Sequence, residues 1–373
     1  MGAFVNDLFL RALELACGLD PTPNSIEAVS AGTTAEAARW AFGQWELRTR
    51  ASAKFVRAAE MLFDRSGLEM ASHERIAAYR GTRFPKDALV ADLTCGIGAD
   101  SIGLAARGPT VSFDLSPERV TIANWNLRVY GFSESATVSD AKDSMSRAQY
   151  VVLDPARRSP KGARVSPAEF SPNPWELADQ LAEKRLAAMK LGPGVSDDLL
   201  RKLGPGVEFW SFGGECREAC VWTGIEADPF IGAVHVETGE RLPRLPVGEF
   251  VMSPRRYLMD ADPAAVRADA LGNFGLAGLG SSHGYLTGDE LRPCAWLRCY
   301  EVLGDSKGDL KSLKGVLREL RASAFEVKSR SSVDGARLLR ELGPTDRGLL
   351  PVSVVAYQVG KSVRFALAKL ADS

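Results

Sequence analysis

The chain is poor in the residues that build metal and redox sites, with 6 cysteines and 3 histidines in 373 residues. Cys17, Cys95, Cys216, Cys220, Cys294 and Cys299 are scattered too thinly for a disulfide framework, so reduced thiols are expected. Cys216 and Cys220 stand four apart and Cys294 and Cys299 five apart, and neither pair has a Cys-x-x-Cys partner. Only His73, His235 and His283 could complete a tetrahedral site, and no metal is expected. Long apolar runs are also missing: none approaches the roughly 18 residues that cross a bilayer. Residues 1–18 lack a basic start, and Phe4, Leu8, Leu10, Leu13 and Leu15 are interrupted by Asp7, Arg11 and Glu14, as in an amphipathic helix and unlike a secretion signal. A cytoplasmic chain without membrane association is the expectation. Net charge is nearly absent at −1, which excludes a globally basic body for indiscriminate nucleic-acid binding. The charge is uneven, however. Residues 39–86 hold ten basic against five acidic side chains, the segment after Gly304 is basic, and the first 38 residues are acidic. Such patches suit a structured RNA, and equally suit solvated helix faces.

What is present is an ordinary globular composition, 45% hydrophobic and 25% charged, in a chain long enough for two or three domains. Residues 1–85 read as helical: Ala38, Phe42, Trp45, Ala53, Phe55, Val56, Ala59, Leu62 and Phe63 recur at helical spacing after the breaks at Pro21 and Pro23. A loop over residues 67–72 with an N-cap at Ser72 leads into a further helix. From Asp87 strands and helices alternate, which predicts a mainly parallel, doubly wound sheet. The pass gives strand 89–93, helix 99–107, strand 110–114, helix 117–130, strand 135–138 and strand 150–153. Further strands are expected at 187–194 and 207–212, helices at 175–186 and 196–203, and an antiparallel pair 219–225 with 231–236. Residues 241–290 read as a Gly- and Pro-rich connector with a helical piece at 263–271. The tail offers strand 296–303, helix 309–320, strand 324–329, helix 334–342 and strands 351–358 and 363–369, a small α+β module. The domain division is 1–85, 86–240, 241–290 and 291–373.

The stretch 88–100, ALVADLTCGIGAD, organises the chain. Leu89, Val90 and Leu93 form a buried strand, Gly96 and Gly98 clear the backbone for a ligand, and 101–107 is helix-compatible. The next strand ends in Asp114, where a carboxylate can accept both hydroxyls of a ribose. A dinucleotide would need a third small residue where Ser101 stands. Asp92 would repel a pyrophosphate and suits the ammonium of a methionine moiety. Asp140, after the third strand, is placed to accept from an adenine amine, because sequential strands bring their carboxyl ends to one crevice.

Asp-Leu-Thr-Cys-Gly-Ile-Gly therefore resembles motif I of class I S-adenosylmethionine-dependent methyltransferases. The end of the fourth strand carries Asp154-Pro-Ala-Arg-Arg158, similar to motif IV of the base-modifying enzymes, without the aromatic that follows in adenine-N6 enzymes. Asp154 can orient an acceptor amine or take its proton, Pro155 stiffens the loop, and Arg157 and Arg158 can clamp a phosphate or a guanine edge. The alternative reading makes Asp154 a cap and the arginines solvent-facing. Phe170 or Trp175 can replace the missing aromatic. Cys216, in Gly213-Gly-Glu-Cys, would be the nucleophile of a pyrimidine-C5 enzyme, and is otherwise structural. Asn126, five before Gly131, matches a pattern of RNA methyltransferases, and is otherwise a surface polar residue.

The order Lys54-Phe55, Gly-Leu-Glu, motif I, Asp-Pro-Ala-Arg-Arg, Lys-Leu-Gly-Pro-Gly and Gly-Gly-Glu-Cys resembles the bacterial class I methyltransferases with a THUMP-like C-terminal domain, a group whose core resembles trimethylguanosine synthase. The resemblance implies a Rossmann-like class I methyltransferase sheet (α/β) with an N-terminal helical domain and a small C-terminal α+β (THUMP-like) module. It implies S-adenosyl-L-methionine bound by Asp92, Thr94, Cys95, Gly96, Gly98, Asp100, Asp114, Leu115, Asn126, Asp140, Ala141 and Ala71, and an acceptor handled by Asp154, Pro155, Arg157 and Arg158. The expected acceptor is a nucleobase in structured RNA. A small molecule, a protein, or a noncatalytic RNA-binding role are the alternatives, and the sequence leaves the base and the oligomeric state open.

Overall fold

The computed structural model describes residues 6–156, 166–281, 283–346 and 348–371. They fall into two compact units that interleave along the chain. The first comprises 1–206 and 220–229, the second 207–219 and 230–373.

The first unit opens with helices Asp7–Leu15, Pro23–Ala31 and Ala35–Ala51, each started by a side-chain cap: Asn6, Thr22 and Thr34 accept from backbone N–H groups of their first turns. Their apolar faces, with Leu13, Val29, Phe42 and Leu47, continue into Phe55, Met61, Leu62 and Phe63 and meet Ile97 of the glycine loop and Leu127 of the helix Pro117–Val129. The segment expected as a loop before Ser72 carries a short helix, Arg65–Met70, capped at its start by Asp64. The next helix, Glu74–Thr82, takes His73 rather than Ser72 as its N-cap.

The alternation then follows as expected: β1 (Val90–Asp92), helix Ala99–Ala105, β2 (Thr110–Asp114), helix Pro117–Val129, β3 (Ala136–Val138), β4 (Tyr150–Leu153) and β5 (Leu186–Leu191). Their order is β3-β2-β1-β4-β5. All neighbours are parallel, with Asp92 opposite Ser112 and Val152, and Leu153 opposite Met189. The strand order reverses between β1 and β4, so the carboxyl ends of these two strands open a crevice at a topological switch point. Helices Glu74–Thr82 and Ala99–Ala105 touch backbone to backbone. A Cβ at Gly81 would lie 2.5 Å from the Gly103 carbonyl oxygen, and one at Gly103 2.4 Å from Ala77 backbone. This close approach puts Arg80 within reach of Asp100.

In the second unit β6 (Gly206–Phe212) is followed by β7 (Glu215–Thr223), whose last residues, from Cys220, belong to the first unit. The expected antiparallel pair of 219–225 with 231–236 does not form. Strand β8 (Ile231–His235) instead lies parallel to β6, with Val207 opposite Ile231, and β9 (Arg241–Pro243) is antiparallel to β8. Strand β6 lies between β7 and β8 in the sheet order, so the two strands are not neighbours. Residues 241–290 carry β10 (Phe250–Val251), β11 (Tyr257–Ala261), helix Pro263–Arg267, β12 (Ala277–Leu279) and β13 (Tyr285–Gly288). The tail adds β14 (Leu297–Lys307), helix Leu310–Glu319, β15 (Ala322–Ser329), helix Gly335–Leu342, β16 (Leu350–Val359) and β17 (Ser362–Leu370). These eight strands make one sheet, β10-β12-β13-β11-β14-β17-β16-β15. Both tail helices cover one face through Leu313, Leu317 and Leu338, while Tyr285, Tyr300 and Tyr357 pack with Leu258 and Leu279 in a separate core. No helix among the described residues is long and apolar enough to cross a membrane.

Candidate functional site

The carboxyl ends of β1, β2 and β4 and the loop after β3 deliver one aspartate each: Asp92, Asp114, Asp154 and Asp140. The loop from Asp92 to Gly98 turns tightly, with Gly98 N–H donating to the Cys95 carbonyl at 2.8 Å. Gly96 and Gly98 have φ of 54° and 87°, the left-handed region that a side chain disfavours. A Cβ at Gly98 would also come within 3.2 Å of Ala123 Cα, whereas one at Gly96 meets nothing within 4 Å. The loop is thus packed beneath Gly98 and faces open space at Gly96.

Asp114 organises this loop. Its Oδ2 accepts from Gly96 N–H at 2.9 Å and its Oδ1 from Ser116 N–H at 2.9 Å. Each oxygen keeps a further lone pair. Leu115 beside it is 63% exposed, an apolar surface at the crevice rim. Asp140 caps the short helix Ala141–Ser144, its Oδ1 accepting from Lys142 N–H at 2.7 Å, and Ala141 is buried beneath it.

Asp92 lies deeper. It is 1% exposed, its Oδ2 accepts from Ser101 Oγ at 2.7 Å and its Oδ1 from Thr94 N–H at 3.3 Å. Burial, with the negative charge of Asp100 adding to it, pushes its carboxyl up to about 7. Ser101, at the position where a dinucleotide site requires a small residue, is the hydrogen-bond partner of both Asp92 and Ser112. Burial also raises the Cys95 thiol well above its ordinary range, which leaves it a packed and unreactive side chain.

Asp100 is the hub of a buried network. Arg80 Nε donates to its Oδ1 at 3.0 Å, Ser72 Oγ donates to its Oδ2 at 2.9 Å, and Lys190 Nζ lies 4.0 Å from Oδ2. Burial alone would raise the Asp100 carboxyl, and the Arg80 and Lys190 charges outweigh it, so the carboxyl stays below its ordinary value. Lys190 then reaches Asp154, Nζ to Oδ2, at 2.6 Å. Asp154 N–H donates to Thr94 Oγ1 at 2.7 Å, tying the loop after β4 to the glycine loop. Pro155 is buried. Arg157 and Arg158 lie outside the described residues.

Asn126 is neither a surface residue nor open to a ligand. It is fully buried, its Oδ1 accepts from Leu62 N–H at 2.8 Å, and its Nδ2 donates to the carbonyls of Leu62 and Ile97 at 3.0 and 2.9 Å. It fastens the glycine loop to the N-terminal helical layer. Ala71 ends helix Arg65–Met70, and its carbonyl accepts from Lys54 Nζ at 2.9 Å. Lys54 also takes the Leu68 carbonyl at 2.7 Å, so it closes that helix.

Of the proposed substitutes for the missing motif IV aromatic, Phe170 is buried and Trp175 is half-buried. Phe170 is 7% exposed and packs on Trp175, centroids 5.8 Å apart, while Trp175 Nε1 donates to the Leu199 carbonyl at 3.0 Å. In the second unit, burial, with Asp262 adding, pushes the Cys216 thiol up to about 12, the opposite of what a pyrimidine-C5 nucleophile needs. Sequence reasoning passed over Arg80, read Ser72 only as an N-cap and quoted Lys190 only as the first residue of Lys-Leu-Gly-Pro-Gly, with no site role for any of them. The one visible signal was a lysine inside the otherwise apolar strand LAAMKL, and Arg80 shows no signal at all because its partner is on another helix.

A doubly wound parallel sheet whose switch point carries a glycine loop, with an aspartate ending the next strand, is the arrangement of the Rossmann-like class, whose ligands bind in that crevice. Known proteins carry the assignment further. Over 342 residues the chain is 31% identical to an uncharacterized S-adenosylmethionine-dependent methyltransferase of Mycobacterium tuberculosis strain CDC 1551, a match covering 87% of this chain and 93% of the relative. The same figures hold for an uncharacterized S-adenosylmethionine-dependent methyltransferase of strain ATCC 25618. A crystal structure described as "putative methyltransferase from Porphyromonas gingivalis W83" superposes with a TM-score of 0.80 at 18% identity over 98% of both chains, which shows a shared fold. No family model matches the chain. The chain belongs to the S-adenosylmethionine-dependent methyltransferases.

Proposed function

We propose that this methyltransferase acts on a nucleobase in structured RNA, with Asp154 facing the acceptor. The observation that carries the reading is the position of Asp154: it stands at the end of β4, beside β1 at the switch point, with its backbone fixed to the glycine loop through Thr94. The residues present suit the cofactor. Asp114 retains lone pairs for the ribose hydroxyls, Leu115 offers an apolar surface for the adenine, Asp140 retains an acceptor oxygen for the adenine amine, and the Gly96 side of the loop faces open space. Asp92, with Thr94 and Cys95 in the same loop, lies on the methionine side of this arrangement, where Ala71 and Asp100 close the site. When bound, S-adenosylmethionine supplies an electrophilic methyl group on a sulfonium.

The chain's own task is to hold the acceptor at near-attack distance and to manage its proton. Asp154 Oδ2 is engaged by Lys190, and Oδ1 accepts no hydrogen bond among the described residues. That oxygen is suited to take an N–H of the acceptor and so aim the nitrogen lone pair. Because Thr94 holds Asp154 N–H, acceptor and cofactor loops keep one spacing. Arg157 and Arg158, three and four positions after Asp154 in the sequence, carry charge suited to a phosphate. The second unit supports an RNA partner. Its order β14, helix, β15, helix, β16, β17 is the α+β module read as THUMP-like, and helix Leu310–Glu319 carries exposed Lys311 and Arg318 beside exposed Lys307 and Arg321. The trimethylguanosine-synthase likeness of the core belongs to the same proposal.

The test is methyl transfer from radiolabelled S-adenosylmethionine to total RNA from cells lacking this protein, with parental RNA as control. Label entering only the deficient RNA is expected. Asp154→Ala abolishes that transfer while calorimetric cofactor binding persists. Label confined to protein or small molecules refutes the RNA reading.

A further inference from the structure

Strand β5 buries all of its residues, and one of them is a lysine: the Lys190 side chain is 6% exposed. Burying an ammonium costs several kcal/mol unless it is paired and its N–H groups are used. Lys190 meets oxygens from three different elements: Asp154 Oδ2 at 2.6 Å after β4, Asp100 Oδ2 at 4.0 Å in helix Ala99–Ala105, and the Met70 carbonyl at 3.5 Å at the end of helix Arg65–Met70. Asp100 feels the Lys190 charge at 4.0 Å, but its short hydrogen bonds come from Arg80 and Ser72, one to each oxygen. The short contact is the one to Asp154, whose carboxylate is 23% exposed.

We infer that Lys190 is a positioning residue for methyl transfer, pinning Asp154 Oδ2 so that Oδ1 alone meets the acceptor. The inference rests on the reading of Asp154 as acceptor-facing. Its chemical consequence is selectivity. A carboxylate already paired with an ammonium carries little net attraction for a second cation, so the site favours a neutral N–H donor, such as a nucleobase amine or ring N–H, over a lysine-like ammonium.

The experiment compares Lys190→Met, Lys190→Arg, Asp154→Asn and the double variant Lys190→Met with Asp154→Asn. Each is given radiolabelled S-adenosylmethionine and total RNA from cells lacking the protein, with the protein and small-molecule fractions of the same cells tested alongside. Lys190→Met is expected to lower kcat roughly 10²-fold, the scale of a misplaced acceptor, with cofactor affinity by calorimetry within about twofold of wild type. Lys190→Arg restores most of the loss. The double variant is no slower than the slower single variant, because Lys190 acts through Asp154. Wild-type turnover in Lys190→Met, additive losses in the double variant, or loss of cofactor binding each overturn the inference. If Lys190→Met does not fold, Lys190→Gln takes its place with the same pattern required. Wild-type label in protein or small molecules refutes the RNA reading, while the same comparison on the labelled fraction still decides the role of Lys190. Label in no fraction overturns both.

Discussion

Replacing Asp92 by asparagine should change how stability depends on pH, and the sign is fixed by the site. The carboxyl moves from 3.8 to about 7 on folding, burial first and the Asp100 charge second. Below about pH 4 both folded and unfolded chains hold the proton and nothing is lost. Between about pH 4 and 7 the unfolded chain has released a proton that the folded chain keeps, so wild-type stability falls as pH rises. At about 1.36 kcal/mol per pH unit the full effect is about 4 kcal/mol, and about 2.7 kcal/mol of it falls between pH 5 and pH 8. Asp100, held below its ordinary value, titrates beneath that window and cancels in the difference between variant and wild type. Asparagine offers one acceptor oxygen where Asp92 serves both Ser101 Oγ and Thr94 N–H, a loss of about 1 kcal/mol at every pH. Urea unfolding followed by tryptophan fluorescence from pH 5 to pH 8 should therefore show Asp92→Asn gaining on wild type by up to about 2.7 kcal/mol. Parallel pH dependences of the two proteins would refute the argument.

Asn126→Ala removes three buried hydrogen bonds and leaves the Leu62 N–H and the Leu62 and Ile97 carbonyls without that partner. At about 1–3 kcal/mol per buried orphan, a loss of at least about 2 kcal/mol is expected in chemical denaturation, and a neutral effect would show that water replaces the amide. Asp114→Ala takes away the acceptor for Gly96 and Ser116 N–H as well as the proposed ribose contact. Cofactor affinity in calorimetry should fall by roughly 10-fold or more, and unchanged affinity would remove the ribose assignment.

Much of the first unit was legible because its signals are local. Pro117 after Ser116 starts a helix that runs to Val129, Asp114 ends its strand as read, and strand 150–153 is matched residue for residue. What was not legible depends on partners distant in sequence. Asn126 reads as a motif position or a surface amide until Leu62, 64 residues away, is placed beside it. Ser72 has the composition of an N-cap, and its hydroxyl is drawn to Asp100 because a buried carboxylate gains more from it than a helix end open to His73. Strands β10, β12 and β13 are two to four residues long, shorter than the period needed to tell them from loop. The parallel partner of β8 could not be read either, since nothing local in 231–235 distinguishes β6 from β7 as its neighbour.

The interleaving of the two units has a consequence for synthesis. Residues 220–229 complete the first unit, bringing Cys220 Sγ to 3.8 Å from Arg80 Nη1 and the Trp222 ring to 5.8 Å from Phe84. A ribosome that has released the first 206 residues has therefore not yet released everything that unit requires, and must first extrude 207–219, which belong to the other. Folding in two strictly successive steps, one per unit, would leave the first without residues 220–229. The contact of Cys220 with Arg80 can form only after thirteen residues of the other unit, 207–219, have emerged.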